Sequence, residues 1–239
     1  MLLYYNSNMS LVSHRGAGGL AVENSREAID KAKTYSPVFI EVDIHCTADM
    51  VFVLYHGDIK QTYSGNRRPE TYTELKKNIP TLMKLDELLD KDDHNCAYMF
   101  DIKCADDIDD LVTYLQKNGV PSSVGFTSPH AAALKKLKEA FPHAITLIAQ
   151  KYQAGPIKAI ELARDAQFSG ISLNKWWLGP LPYFMCKHYK KIIMVYTIDN
   201  RLWQWWAQTF FPDILLCTNR PDRYRQTFPK QSKRLRKQR

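Results

Sequence analysis

The chain has 239 residues, 45% hydrophobic and 12% aromatic, which suits one large α/β domain and excludes global disorder. Its net charge is +8, yet nine Lys/Arg and one acid between Arg220 and Arg239 supply all of it. The 33 Lys/Arg less nine and the 25 Asp/Glu less one leave 24 of each in residues 1–219, and that neutral body speaks against nucleic-acid binding.

Candidate strands are Leu11–His14, Val38–Ile44, Val51–His56, Tyr98–Ile102, Val124–Thr127, Ile145–Ala149, Gly170–Leu173, Ile192–Thr197 and Ile214–Cys217. Helical patterns lie between them. Glu23–Thr34 puts Ala28, Ile29 and Ala32 on one face. Asp106–Lys117 carries Ile108, Leu111, Val112 and Leu115 at i, i+3, i+4 and i+7. Leu85–Leu89, Ala131–Ala140, Ile157–Ala166, Tyr183–Tyr189 and the Trp-rich Arg201–Thr209 follow. Strand and helix alternating about eight times predict a single-domain (β/α)₈ TIM barrel, with an open doubly wound sheet as the competing arrangement. Polar residues cluster at the C-terminal ends of strands far apart in sequence. A barrel gathers such ends at one mouth, whereas an open sheet spreads them along a crevice. The polar segment between His56 and Leu82 reads as a loop over that mouth. The barrel is expected over residues 1–228, with 229–239 as a basic tail.

Four short pieces carry the chemistry: His14-Arg15-Gly16, Glu41-Val42-Asp43, His56-Gly57-Asp58 and Asp101-Ile102-Lys103. Glu41 and Asp43 are two apart on a strand and point to one face. Flanked by Phe39, Ile40, Val42 and Ile44, they sit where unpaired charge is costly. They are either ion-paired acids or ligands of a hard cation such as Mg²⁺ or Ca²⁺. Asp101 repeats the geometry as a third carboxylate. Lys103 either pairs with these acids or reaches a phosphoryl oxygen. His14 beside Arg15 sets a titratable group next to a phosphate fork. His56 ends a strand; two such histidines, with metal-type carboxylates between them, point to catalysis.

The remaining signals are weaker. His45 shares strand parity with Glu41 and Asp43 but reads as structural. Trp203, Trp205 and Trp206 read as packing; Trp176 and Trp177 divide evenly between substrate contact and core. Five scattered cysteines form no CxxC pair, so zinc is not suggested. The opening MLLYYNSNMSLV lacks the features of a signal peptide, and no run approaches ~18 apolar residues. These features predict an intracellular protein. The tail has three readings: a solvated terminus, a polybasic strip at anionic membrane, worth about 1 kcal/mol per Lys/Arg near the surface, or a nucleic-acid arm, weak for want of aromatic interleaving.

In this order, SHRGAGGLAVENSREAI, FIEVDIHCTADMVFVLYHGD, FDIK, VYTIDN and CTNRPD resemble the glycerophosphodiester phosphodiesterase family. The last two pieces stand where that family often shows Trp-Thr-Val-Asn and Thr-Asp-Arg-Pro. The resemblance implies a (β/α)₈ barrel and a divalent metal on Glu41, Asp43 and Asp101. It implies His14 and His56 as the acid–base pair, with Arg15 and Lys103 on phosphate. The implied substrate is a glycerophosphodiester, split into glycerol 3-phosphate and an alcohol. Three departures stand out: Gly57 follows the second histidine, the turn reads Thr47-Ala48-Asp49-Met50, and Asp101 holds a Glu position. The His-Gly pair and Asp101 are also similar to sphingomyelinase D-like phospholipases. That keeps a lysophospholipase D acting at a membrane as an alternative, beside an inert phosphate-binding barrel.

Overall fold

The computed structural model describes residues 10–57, 60–63, 66–90, 96–121, 123–149 and 155–224. Eight parallel strands close into a barrel: β1 (Leu11–Ser13), β2 (Phe39–Cys46), β7 (Tyr98–Ile102), β8 (Val124–Ser128), β9 (Ile145–Ala149), β10 (Gly170–Asn174), β11 (Ile192–Tyr196) and β12 (Leu215–Thr218). Closure comes from β1, which pairs with β12 on one side and β2 on the other. Helices α1 (Arg26–Lys33), α4 (Ile108–Asn118), α5 (Ala131–Ala140), α6 (Gly155–Asp165), α7 (Pro180–His188) and α8 (Arg201–Phe210) alternate with these strands. Between β2 and β7 lie β3 (Phe52–Leu54), the hairpin β4 (Lys60–Tyr63) and β5 (Asn66–Pro69), α2 (Tyr72–Asn78), β6 (Met83–Lys84) and α3 (Leu85–Leu89). Among the described residues, no helix is long and apolar enough to cross a membrane.

One predicted strand takes a different role. Val51–His56 shortens to β3, which runs antiparallel to the overhanging end of β2, with Ile44 opposite Leu54 and Cys46 opposite Phe52. A chain that turns straight back cannot supply a parallel stave, so β3 lies outside the barrel wall. Part of the segment expected as a loop, 57–81, also has regular structure. It holds the β4–β5 hairpin and α2, whose start is fixed by a capping box between Thr71 and Glu74.

Strand parity divides the core. Ile40, Val42 and Ile44 of β2 pack outward with the helices. Phe39 points inward and joins Val12, Met99, Leu147, Met194 and Leu215 in an apolar plug inside the barrel. The next inward positions on β2 and β7 are polar, so the carboxylates stand directly above an apolar floor.

The turn after β1 is tight. Arg15 and Gly16 both have positive φ, 53° and 76°, and a Cβ on Gly16 would lie 2.7 Å from the backbone carbon of Ala28. Helix α1 thus packs directly onto this turn. Gly16→Ala combines backbone strain with overpacking and is expected to cost about 1–3 kcal/mol. Urea denaturation checks this; an unchanged midpoint would contradict such close packing.

Candidate active site

The register of β2 against β7 sets Asp43 opposite Asp101 and Glu41 opposite Met99. Oxygens of Glu41, Asp43 and Asp101 all lie within 4.8 Å of one another. Glu41 and Asp43 are buried, 3% and 1% exposed. Each is held in place. The Arg15 backbone N–H donates to Glu41 Oε2 at 2.8 Å. Asn24 clamps Asp43 reciprocally: its Nδ2 donates to Oδ2 at 2.9 Å and its Oδ1 accepts from the Asp43 backbone N–H at 3.1 Å. The Thr127 hydroxyl donates to Asp101 Oδ1 at 2.8 Å.

Two cations face these three acids. Lys103 Nζ donates to Asp101 Oδ2 at 2.5 Å and lies 3.1 Å from Asp43 Oδ1. Arg15 pairs with Glu23 at 2.6 Å, and its Nε stands 3.3 Å from Asp43 Oδ2. That Nε is buried against Asp43 and makes no hydrogen bond. The charge is divided unevenly. Burial alone would raise Asp43, but Lys103, the Asn24 hydrogen bond and Arg15 outweigh it and hold the group below the ordinary carboxylate range. Glu41 has less help: burial, reinforced by Asp43 and Asp101, pushes it well above that range. A carboxylate that resists ionising until a cation arrives, beside two further carboxylates, suits a hard divalent ion that would share Asp43 and Asp101 with Lys103. Cys217 also lies beside His14 and Glu41. Burial, reinforced by the charge of Glu41, pushes its thiol well up, so it stays protonated and is a poor ligand.

His14 ends β1 and is fixed in orientation. Its Nδ1 lies 2.7 Å from Asn219 Oδ1. Asp199 holds Asn219 through its backbone N–H at 2.7 Å and its Nδ2 at 2.8 Å, and also accepts from the Thr218 hydroxyl at 3.0 Å. A carboxylate only accepts, so the amide turns its NH₂ to Asp199 and its oxygen to His14. Nδ1 therefore carries the proton, and Nε2, 3.9 Å from Glu41 Oε2, is the free nitrogen. Burial and the charge of Arg15 lower the His14 pKa, keeping it neutral near pH 7. His56 sits in the loop past β3, exposed at the mouth. It too is lowered, chiefly by burial, against the opposing pull of Asp43. A Cβ on Gly57 would meet the Tyr55 hydroxyl at 2.2 Å, so the ring of Tyr55 occupies the space a side chain would need there.

All seven predicted residues, His14, Arg15, Glu41, Asp43, His56, Asp101 and Lys103, line one cavity of 380 Å³. Its floor and far wall include Met194, Tyr196 and Cys217. His45 is not brought in; it lies on the β2 overhang, its ring 6.4 Å from Tyr55. Trp176 and Trp177 line neither cavity nor core, and Trp203 and Trp205 are exposed rather than packed as expected. Asp199 and Asn219 carry no metal-type spacing in the sequence and are informative only where the barrel brings β12 beside β1.

The sequence of this half-barrel has relatives. Residues 14–103 match the glycerophosphoryl diester phosphodiesterase family. The matched segment begins at His14 and ends at Lys103, and so contains all seven cavity residues named above. The Bacillus subtilis protein YhdW, whose name marks it as a candidate glycerophosphodiester phosphodiesterase, is 36% identical over 72 residues. That match spans 29% of this chain and 30% of YhdW. The fold is shared more widely. A glycerophosphodiester phosphodiesterase from Thermotoga maritima superposes with a TM-score of 0.73 at 16% identity, covering 90% of this chain and 96% of its own. An Oleispira antarctica phosphodiesterase, solved with its product sn-glycerol-3-phosphate, gives 0.74 at 17% identity, covering 91% and 95%.

Asp199 and Asn219 set one acceptor against one donor, with the neutral amide turned to His14. Asp199→Asn should leave two amides in contact and free the His14 tautomer. Asn219→Asp should press two carboxylates together. The double exchange should recover most of what each single change loses in turnover. Additive losses in the double variant, at unchanged melting temperature, would show that the pair does not act through His14.

Proposed function

We propose that the chain is a metal-dependent phosphodiesterase that hydrolyses glycerophosphodiesters to glycerol 3-phosphate and an alcohol. One observation carries the reading: three carboxylates, two cations and two histidines converge at one barrel mouth, in the segment that matches the family. The product-bound Oleispira relative adds support for the substrate class.

Glu41, Asp43 and Asp101 would hold Mg²⁺ or Ca²⁺, which supplies Lewis-acid neutralisation of charge building on the phosphate. Arg15 Nε and Lys103 bind non-bridging oxygens and orient phosphorus between the histidines. His14, with Nε2 unprotonated, takes the proton from the attacking oxygen, either water or the substrate's own neighbouring hydroxyl. His56, at the open end, protonates the departing alcohol. Burial keeps the first base neutral, and the mouth position gives the second group access to a bulky leaving group.

A second reading, a lysophospholipase D acting on lysolipids, draws support from exposed Trp176 and Trp203 beside the mouth. The test measures release of choline from glycerophosphocholine and from micellar lysophosphatidylcholine, with Mg²⁺, Ca²⁺ or EDTA. Metal-dependent turnover of the soluble diester supports the first reading, and preference for the micelle supports the second. Inertness on both, with metal bound, would leave a phosphate-binding barrel.

A further inference from the structure

Helix α8 is built partly inside out. Its Gln204 is 1% exposed, and the amide donates to the Ile198 carbonyl at 2.9 Å and lies 3.1 Å from the Thr218 hydroxyl. Leu202, by contrast, is 74% exposed and Trp205 59%. A surface helix ordinarily turns its apolar stripe to the core. Here Ala207 does so and Trp206 packs partly against the core, while Leu202, Trp203, Trp205 and Phe210 are exposed on the rest of the helix.

The exposed apolar surface continues onto neighbouring elements. Trp176, in the short turn after β10, is 66% exposed and meets Trp203 edge-on at 5.6 Å. Trp203 meets Trp206 at 5.4 Å, and Trp206 meets Phe210 at 5.9 Å. Helix α7 exposes Leu181 and Phe184; the ring of Phe184 meets Tyr183 at 5.4 Å, and Tyr183 meets Phe211 at the end of α8 at 5.1 Å. All five tryptophans of the chain lie between 176 and 206. Scattered exposed apolar residues need no explanation, but a connected patch of this kind marks a contact surface.

Its charge points to the partner. Residues 174–213 hold Lys175, Lys187, Lys190, Lys191 and Arg201 against two acids; Asp213 pairs with Lys187 at 2.6 Å, and the other acid is Asp199. That carboxylate is turned inward to Asn219 and Thr218. Indole rings settle where an apolar layer meets polar headgroups, and basic side chains beside them attract anionic lipid. A second copy fits less well. A two-fold contact sets the same patch against itself, bringing Lys175 and Arg201 near their own likeness with no acid to neutralise them. The patch also adjoins the mouth: Trp176 stands two residues beyond Asn174, which lines the cavity.

We propose that the rim formed by Trp176, Leu181, Phe184 and the outer face of α8 docks on an anionic lipid surface and presents the cavity to the headgroup layer. The presented chemistry rests on the phosphodiesterase reading; the docking does not, and is measured without turnover. The full chain is titrated with vesicles of phosphatidylcholine, with and without phosphatidylserine, while tryptophan emission and co-sedimentation are followed. Emission should shift to the blue, and binding should tighten with phosphatidylserine. Leu202→Asp and Phe184→Asp alter exposed positions away from the catalytic groups. Each should weaken binding by about tenfold or more, the scale of one lost apolar side chain. Hydrolysis of soluble glycerophosphocholine should stay unchanged in both. Sedimentation without a spectral shift, or binding indifferent to both substitutions, would assign any attraction to the basic tail and overturn the proposal. So would a wild-type dimer that these substitutions convert to monomer, or no binding at all.

Discussion

His14→Ala is expected to lower kcat on glycerophosphocholine by about 10²–10⁴-fold, the usual worth of a general acid or base. His56→Ala should fall in the same range. The two should differ in character. His14 is held by Asn219 deep in the cavity, so under the proposed role its loss should appear in kcat with little change in KM. In the proposed role of His56 on the departing alcohol, its loss should be smaller for substrates with a more acidic leaving group, which need less protonation. A p-nitrophenyl phosphodiester compared with glycerophosphocholine supplies that contrast. Equal losses of His56→Ala on both substrates would remove it from the leaving-group side. Full metal-dependent activity in both variants would end the acid–base assignment.

The second large effect concerns the metal and its pH dependence. Without a cation, the folded-state pKa of Glu41 stands well above its ordinary value of 4.5. The unfolded chain therefore releases this proton first, and the folded state loses stability as pH rises from about that value toward the folded pKa. Asp43 runs the opposite way. Its depressed pKa contributes stability above its ordinary value of 3.8, lost as pH falls through the folded value. A divalent cation binds the ionised form of Glu41, so it should raise the melting temperature more at pH 8 than at pH 5. At a hundredfold excess over Kd the gain is about 2.7 kcal/mol. Glu41→Gln should be more stable than the wild type in EDTA at pH 8, and should lose most of the metal-induced shift. Calorimetry at both pH values checks this. A shift of equal size at the two, or one retained by Glu41→Gln, would move the cation away from these carboxylates.

Much of this site was legible from sequence because its signals are local. Glu41-Val42-Asp43 and Asp101-Ile102-Lys103 are i, i+2 pairs inside apolar runs, and strand parity alone sends both members of each to one face. Tyr98–Ile102, Ile145–Ala149 and Ala131–Ala140 have the predicted bounds, since their periodicity ends where their packing ends. The misses were non-local. His56 was placed at the end of a barrel strand, yet β3 is antiparallel; an apolar run of six residues carries no mark of its direction. The Asn219–Asp199 support for His14 spans 205 residues and arises only when the last strand closes on the first. Trp206 packs against the core as expected, but Trp203 and Trp205 depart from the expectation for the reverse reason. Helical spacing ordinarily predicts burial, and here it was the polar Gln204 that went inside.

The apolar plug below the carboxylates closes the floor of the cavity, so among the described residues it opens toward the barrel mouth. Both fragments of a cleaved diester must leave by the route the substrate entered. Under the proposed hydrolysis, the alcohol would depart beside His56 at the lip, while the phosphomonoester would stay deeper, against Arg15, Lys103 and the acids. Release would thereby be ordered, with the phosphomonoester last. That product would compete with fresh substrate for the same floor, so glycerol 3-phosphate is expected to act as a competitive inhibitor.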